Sequence, residues 1–219
     1  FIESVLDAAR IYNIKVFFGL FPLGDPSLLT DLDLYESEQD SELKNRIKNA
    51  LRATEKQARD LFDQHGKKEA FSGWILSSPS RCIEQNKKFS SPLAKFLKEL
   101  DGRKAVMLSL FPETKDCSGK ENQEITLKKL ATQFSTVVYQ DGLATGMFYQ
   151  EFDGNFSPHY DLRDCNKLDC RQQRLKQLAV VFEKIRRAHT NTSIGFRVEV
   201  QGWRRGGPCK NGLECPAEA

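Results

Sequence analysis

Residues 194–203, Ile-Gly-Phe-Arg-Val-Glu-Val-Gln-Gly-Trp, read as a β-strand closed by a corner. β-Branched and aromatic residues dominate the run, and no proline interrupts it. Asn191 supplies a turn before it and Gly202-Trp203 ends it. Its one acid, Glu199, stands close to the end. In parallel α/β folds the C-terminal ends of the strands are where chemistry is built, so Glu199 is the first candidate functional residue. The competing reading is a surface glutamate on a half-exposed strand.

Four more apolar runs have strand character: 15–21 (KVFFGLF), 71–76 (FSGWIL), 105–110 (AVMLSL) and 136–140 (TVVYQ). Helical spacing fills the intervals. Ile2, Val5, Leu6, Ala9 and Tyr12 share one face of an opening helix. Leu43, Ile47, Ala50, Leu51, Thr54, Ala58, Leu61 and Phe62 line a long one, which Gly66 stops. A short helix is predicted from about Pro92, with Leu93, Phe96, Leu97 and Leu100 inward. Ile125 to Phe134 suggests another helix. A last one turns Leu175, Leu178, Ala179, Phe182 and Ile185 inward. Residues 144–169 form a long connection rich in aromatics, too long to lack a role and too aromatic for disorder.

Apolar strands that are not half-polar, alternating with helices, specify a parallel sheet covered by helices. The rhythm fits a doubly wound sheet or part of a (β/α) barrel. A nucleotide-binding doubly wound enzyme is disfavoured, because neither G-x-G-x-x-G nor G-x-x-x-x-G-K-[ST] follows the first strand. Polar residues instead collect after several strands: Ser77 and Ser78, Glu113, Gln140 and Asp141, Glu199 and Gln201. A barrel gathers such ends on one rim. The expected fold is therefore α/β, TIM-barrel-like, an incomplete barrel of about five parallel strands with covering helices. Residues 1–205 would form this domain and 206–219 a cysteine-clipped tail.

Composition bounds the rest. The chain has 219 residues, 39% apolar and 29% charged, with 33 basic and 30 acidic residues distributed along its length. That mixed surface leaves a net charge of +3 and argues against nucleic-acid binding. No apolar run approaches the roughly 20 residues of a membrane span. Opening on Phe1 and closing on Glu218-Ala219, the chain is expected to be a piece of a longer protein. Six cysteines (Cys82, Cys117, Cys165, Cys170, Cys209, Cys215) include no C-x-x-C pair, and the three histidines have no ligand spacing, so neither a metal nor a cofactor is expected. The even count fits disulfides. Close spacing favours Cys165 with Cys170 and Cys209 with Cys215, leaving Cys82 for Cys117. Two sequons, at Asn155 and Asn191, agree with a secreted or lumenal glycoprotein.

The series KVFFGL, FSGWIL, YQDG and FRVEV, in this order over nearly the whole chain, resembles the glycoside-hydrolase-like TIM barrels grouped as domain of unknown function 4434. Gln140-Asp141-Gly142 and the Glu199 strand are its most specific parts. The resemblance implies that the five strands are the third to seventh of eight, so that other segments or chains complete the barrel. It also implies an acid/base glutamate ending the fourth strand and a nucleophile ending the seventh, where Glu199 falls. At the fourth-strand end this sequence departs: Ser77-Ser78-Pro79 stands there without an acid, and Glu84 is several residues on. A serine cannot protonate a leaving glycosidic oxygen as a carboxylic acid does.

Glu199 and Asp141 are thus the catalytic candidates. Asp141 has a competing reading as a turn residue bonded to its own backbone. Trp74, Gln140, Tyr149, His159, Tyr160, Gln201 and Trp203 are candidates for binding a sugar; a tryptophan at a barrel mouth stacks on a pyranose face, though either tryptophan also suits a core. Arg197 alternates onto the same strand face as Glu199. Two functions follow from these residues: a hydrolase-like barrel that acts on or binds a carbohydrate or glycoconjugate, impaired by the missing acid, or a non-catalytic extracellular domain that binds glycan or protein.

Overall fold

The computed structural model describes residues 1–20, 22, 23, 28, 41–77, 83–110, 123–140, 147–152, 155–160 and 168–199. For 77, 83–87, 123–126, both strands of the 147–160 hairpin, 168–171, 173, 174 and 199 it describes the backbone alone. The elements in chain order are α1 (Ile2–Ile11), β1 (Val16–Leu20), α2 (Ser41–His65), β2 (Phe71–Ser77), α3 (Ile83–Leu100), β3 (Ala105–Leu110), α4 (Gln123–Ala131), β4 (Thr136–Gln140), β5 (Met147–Phe152), β6 (Asn155–Tyr160), α5 (Leu168–His189) and β7 (Gly195–Glu199).

Five strands form one sheet in the order β1-β2-β3-β4-β7, and every pairing is parallel. The order is sequential, with no point at which it reverses. A doubly wound sheet requires such a reversal. Because crossovers between parallel strands are right-handed, sequential order sends each covering helix to the same face. The result, among the described residues, is an α/β arc of a (β/α) barrel, five strands wide and not closed, the incomplete barrel expected from the polar strand ends.

Residues paired directly across parallel strands point the same way, so the register sorts the sheet into two faces. Phe18, Trp74 and Val106 form one row of the helix-covered face, Leu20, Leu76, Leu108, Val137 and Phe196 the next, and Leu110 and Tyr139 a third. Of these, Trp74, Leu108 and Val137 have no accessible surface. The helices supply the other half of the core. In α2 the buried residues Leu43, Ile47, Ala50, Thr54 and Ala58 recur at helical spacing. Thr54 is a polar member of that stripe. Its hydroxyl donates to the Ala50 carbonyl at 2.8 Å and accepts from the Leu23 N–H at 3.1 Å, so its burial leaves nothing unpaired. The open face carries Gly73, Ile75, Met107, Ser109, Thr136, Val138, Gln140 and Arg197.

Several sequence expectations shift. The opening helix buries only Leu6 and Ala9 fully; Val5 and Tyr12 are exposed. β1 is half-buried, with an exposed Gly19, rather than apolar on two covered faces, because among the described residues it lies at the sheet edge with β2 as its one neighbour. α3 begins at Ile83, not near Pro92, and holds Pro92 in its interior. Phe89 extends the Leu93 and Leu97 stripe upstream, and its burial offsets the backbone hydrogen bond that proline removes. Within residues 144–169, Met147–Phe152 and Asn155–Tyr160 pair as antiparallel strands rather than forming an irregular connection, and α5 packs on the first of them. On α5, Val181 is buried while Leu175 and Ala179 face outward.

Gly73 is the tightest point of the sheet. The β1–β2 register skips Ser72, a bulge that brings Phe71 onto the helix-covered side beside Trp74. Gly73 follows with φ +154°, and a Cβ there would sit 2.1 Å from the Ala105 carbonyl oxygen. Gly73→Ala is expected to lower stability by about 2 kcal/mol or more, combining backbone strain with steric overlap. Gly19→Ala, whose Cβ would meet nothing closer than Ile75 Cγ2 at 3.8 Å, should stay within about 0.5 kcal/mol of wild type. Chemical denaturation of the two variants checks the contrast.

Candidate functional site

Parallel strands end on one edge of their sheet. Leu20, Ser77, Leu110, Gln140 and Glu199 are the last residues of the five strands. The register makes Gln140 and Glu199 direct partners at the end of the β4–β7 pair. Strands lie about 4.8 Å apart, so the backbone of Glu199 stands one strand spacing from that of Gln140. Asp141 follows Gln140 in the chain but lies outside the described residues, and Glu199 is described in its backbone only.

Gln140 is half-buried on the open face. Its Nε2 donates to the Oγ of Ser109 at 2.9 Å. Ser109 is 1% exposed and sits beside Val138 in the adjoining register. It was not among the residues singled out from the sequence. The signal was present in the alternation of AVMLSL, where Ser109 is the one polar residue and shares a face with Met107. Around this pair the open face holds Met107, Thr136 and Val138, all buried, and the exposed Arg197.

Trp74 does not belong to the rim. The tryptophan is fully buried on the helix-covered face, 5.9 Å from Phe18 and 5.0 Å from Phe71 between ring centroids. The parallel register with Phe18 and Val106 turns it away from the open face, so it is a core aromatic and no stacking platform. Tyr149, His159 and Tyr160 are placed on the hairpin, where Tyr149 pairs with Pro158, His159 with Phe148 and Tyr160 with Met147. By chain order the hairpin follows the C-terminal end of β4, the edge on which Gln140 stands. Gln201 and Trp203 lie outside the described residues. So do Cys82, Cys117, Cys165, Cys209 and Cys215; Cys170 is placed in α5 by its backbone alone. Of the sequon residues, Asn155 opens β6 and Asn191 is exposed in the turn after α5. Among the described residues no group of three or more His, Cys, Asp or Glu could hold a metal ion. No described helix is long and apolar enough to cross a membrane.

Behind Gln140, the other side of β4 is anchored by a buried polar pair. Tyr139 and His189 lie on the helix-covered face with Tyr139 Oη 3.1 Å from His189 Nε2, and His189 Nδ1 is 3.4 Å from the Ile194 carbonyl. A carbonyl can only accept, so Nδ1 carries the proton. Nε2 of the neutral ring then accepts from the tyrosine O–H. Burial pushes the Tyr139 phenol above its ordinary value. It also holds His189 below 6.5, against a smaller opposing effect from the Ile194 carbonyl. The imidazole therefore ties the end of α5 to β4 and to the residue that leads into β7, and so helps hold Glu199's strand beside Gln140.

Topology and rim together define a class: an α/β protein built as part of a (β/α) barrel, with its polar residues at the strand ends. The chain belongs to the family described as Domain of unknown function (DUF4434), whose model matches residues 1–163. No curated protein matches the chain. Among solved structures it is similar to a class V chitinase from Pseudomonas fluorescens Pf-5, with 16% identity, 69% of this chain and 43% of that one covered, and a TM-score of 0.42. It is also similar to a protein of Bacteroides thetaiotaomicron VPI-5482 assigned as an alpha-L-fucosidase, with 15% identity, 90% and 64% covered, and a TM-score of 0.44. The chain thus spans less than two thirds of either structure.

Burial of His189 makes the stability of the fold depend on pH. As pH falls through 6.5 the unfolded chain binds a proton that the folded chain refuses, so stability drops between pH 6.5 and the depressed folded value and is unaffected above 6.5. Wild type should lose more stability than His189→Gln on going from pH 7.5 to pH 5.5. Denaturant midpoints at the two pH values measure the difference.

Proposed function

We propose that this chain is the greater part of a glycoside-hydrolase-like barrel that engages a carbohydrate or glycoconjugate at the rim formed by the ends of β4 and β7. The observation that carries the reading is the parallel register that makes Gln140 and Glu199 direct partners. Asp141 is the next residue in the chain after Gln140. In this reading Glu199 acts as nucleophile or base on the anomeric carbon, and Asp141 supports it by binding a sugar hydroxyl or supplying a proton. Two carboxyl groups about 5 Å apart suit double displacement, and a wider separation suits inversion. Gln140, Tyr149, His159, Tyr160, Gln201 and Trp203 bind sugar hydroxyls and faces around them.

Ser77-Ser78-Pro79 favours a second reading. The end of β2 offers no carboxylic acid, and loss of a general acid typically removes about 10²–10⁴-fold of rate. The barrel would then be a non-catalytic domain that binds glycan or protein. Both readings place the protein outside the cytosol, with Cys82–Cys117, Cys165–Cys170 and Cys209–Cys215 as disulfides and sugars at Asn155 and Asn191. In both, further segments or chains pair with the outer edges of β1 and β7, which have no neighbouring strand among the described residues.

Glu199→Gln should abolish hydrolysis of polysaccharide substrates, measured as reducing-sugar release, with the melting temperature unchanged. Full activity in that variant would remove the nucleophile assignment. Retention of glycan by a wild type that never cleaves it would establish the second reading. Thiol alkylation followed by mass spectrometry should show no uptake before reduction and six alkyl groups after it, one for each of the six cysteines. Six groups taken up without reductant would eliminate the disulfides and return the protein to a reducing compartment.

A further inference from the structure

We infer that Ser109 is a positioning residue for the rim: it holds the carboxamide of Gln140 so that Oε1 is presented as a fixed hydrogen-bond acceptor to a ligand hydroxyl. The inference rests on the carbohydrate reading of the rim for its ligand, though not for its geometry.

Ser109 is a buried hydroxyl in a strand that is otherwise apolar. Burying such a group is unfavourable unless it is hydrogen-bonded, and Val138, its direct partner on the next strand, shows that an aliphatic side chain suits this layer. What distinguishes the serine is its contact. It receives the Gln140 Nε2–H at 2.9 Å, across one strand and toward the strand ends. A glutamine has three side-chain torsions, and immobilising such a side chain on binding a ligand costs affinity. The Ser109 bond fixes that freedom beforehand. A carboxamide is planar with its nitrogen and oxygen on opposite sides, so tying Nε2 down to Ser109 turns Oε1 away from the sheet floor. Both members of the pair are neutral. Oε1 can accept from a hydroxyl or an N–H but gives no attraction to a carboxylate or phosphate, which suits the hydroxyls of a sugar. Gln140 is the direct register partner of Glu199, so the fixed acceptor stands beside the candidate nucleophile's strand, where it would orient the bound sugar.

The test uses the full chain labelled with ¹⁵N. The Gln140 side-chain amide signals are assigned by their loss in Gln140→Leu. In wild type they should be two well-separated proton resonances with slow solvent exchange. In Ser109→Ala they should move toward the shifts of a solvated glutamine and exchange faster, and Ser109→Thr should restore them. Ser109→Val, matched in volume to the threonine, makes the same comparison should alanine leave a cavity. Titration with cellohexaose, xylohexaose, mannohexaose and chitohexaose gives the functional arm. Whichever of them binds wild type should bind Ser109→Ala about fivefold more weakly, the effect of one neutral hydrogen bond. It should bind Gln140→Leu at least tenfold more weakly and Ser109→Thr within about twofold of wild type. Amide signals unchanged in a folded Ser109→Ala overturn the inference. Signals that shift as expected while no hexasaccharide binds wild type uphold the positioning and count against the carbohydrate reading instead.

Discussion

Everything at the rim depends on the helix-covered face of the sheet being dry. Parallel strands pair slightly less strongly than antiparallel ones and need cover on their faces to persist. Here Phe18, Trp74, Leu108, Val137 and Tyr139 supply a continuous apolar layer, against which α2, α3 and α5 lay their own stripes. Each fully buried aliphatic or aromatic side chain of this kind contributes about 1.5–3 kcal/mol. Because the apolar row is locked to one face, a slip of a single residue in any strand would expose it. The register that sets Gln140 against Glu199 is therefore held by residues on the opposite side of the sheet.

Two local devices adapt that layer to the site. The bulge at Ser72 and the close approach of Gly73 to Ala105 rotate Phe71 into the aromatic group with Phe18 and Trp74. The sheet thereby gains an aromatic at the start of β2 that simple alternation would have turned to the open face. At the other end, Tyr139 and His189 place a hydrogen-bonded pair inside an apolar layer and connect β4, α5 and the entry to β7. Such a pair costs desolvation and returns geometric definition. It sits where definition matters, since β7 is an edge strand joined to the sheet through β4 alone among the described residues.

The open face differs in kind. Its middle is buried and holds Ser109 among Met107, Thr136 and Val138, while Arg197 is exposed toward the edge. Apolar strands with a sparse set of polar positions directed to the strand ends suit a scaffold that presents groups rather than one that seals a core. The hairpin of β5 and β6 interrupts the β–α rhythm after β4, the strand that carries Gln140. An insertion there alters what borders the rim without disturbing the sheet beneath, because loops at strand ends carry little of the buried layer.

Much of this was legible in the chain itself. The runs at 71–76, 105–110 and 136–140 carry apolar residues on both faces of the strand rather than on one, and that pattern is readable without coordinates. The same holds for the stripe from Leu43 to Ala58, whose spacing can belong only to a helix packed on one side. Strand ends could also be read, and with them Gln140 and Glu199 as members of one edge. What the chain could not disclose were quantities set by neighbours far apart in sequence. Pro92 reads locally as a helix start, yet Phe89 is drawn into the core and extends the helix past it. Trp74 reads equally as rim or core, and only its pairing with Phe18 and Val106 turns it inward. Residues 147–152 and 155–160 lack a strong strand pattern and become strands by pairing with each other, the first packing on α5. Ser109 and Gln140 are 31 residues apart, and no local pattern joins them. Propensity and periodicity act over a few residues, so they determine the elements; registers and faces are free-energy minima of the whole packed sheet, so the tertiary structure alone decided them.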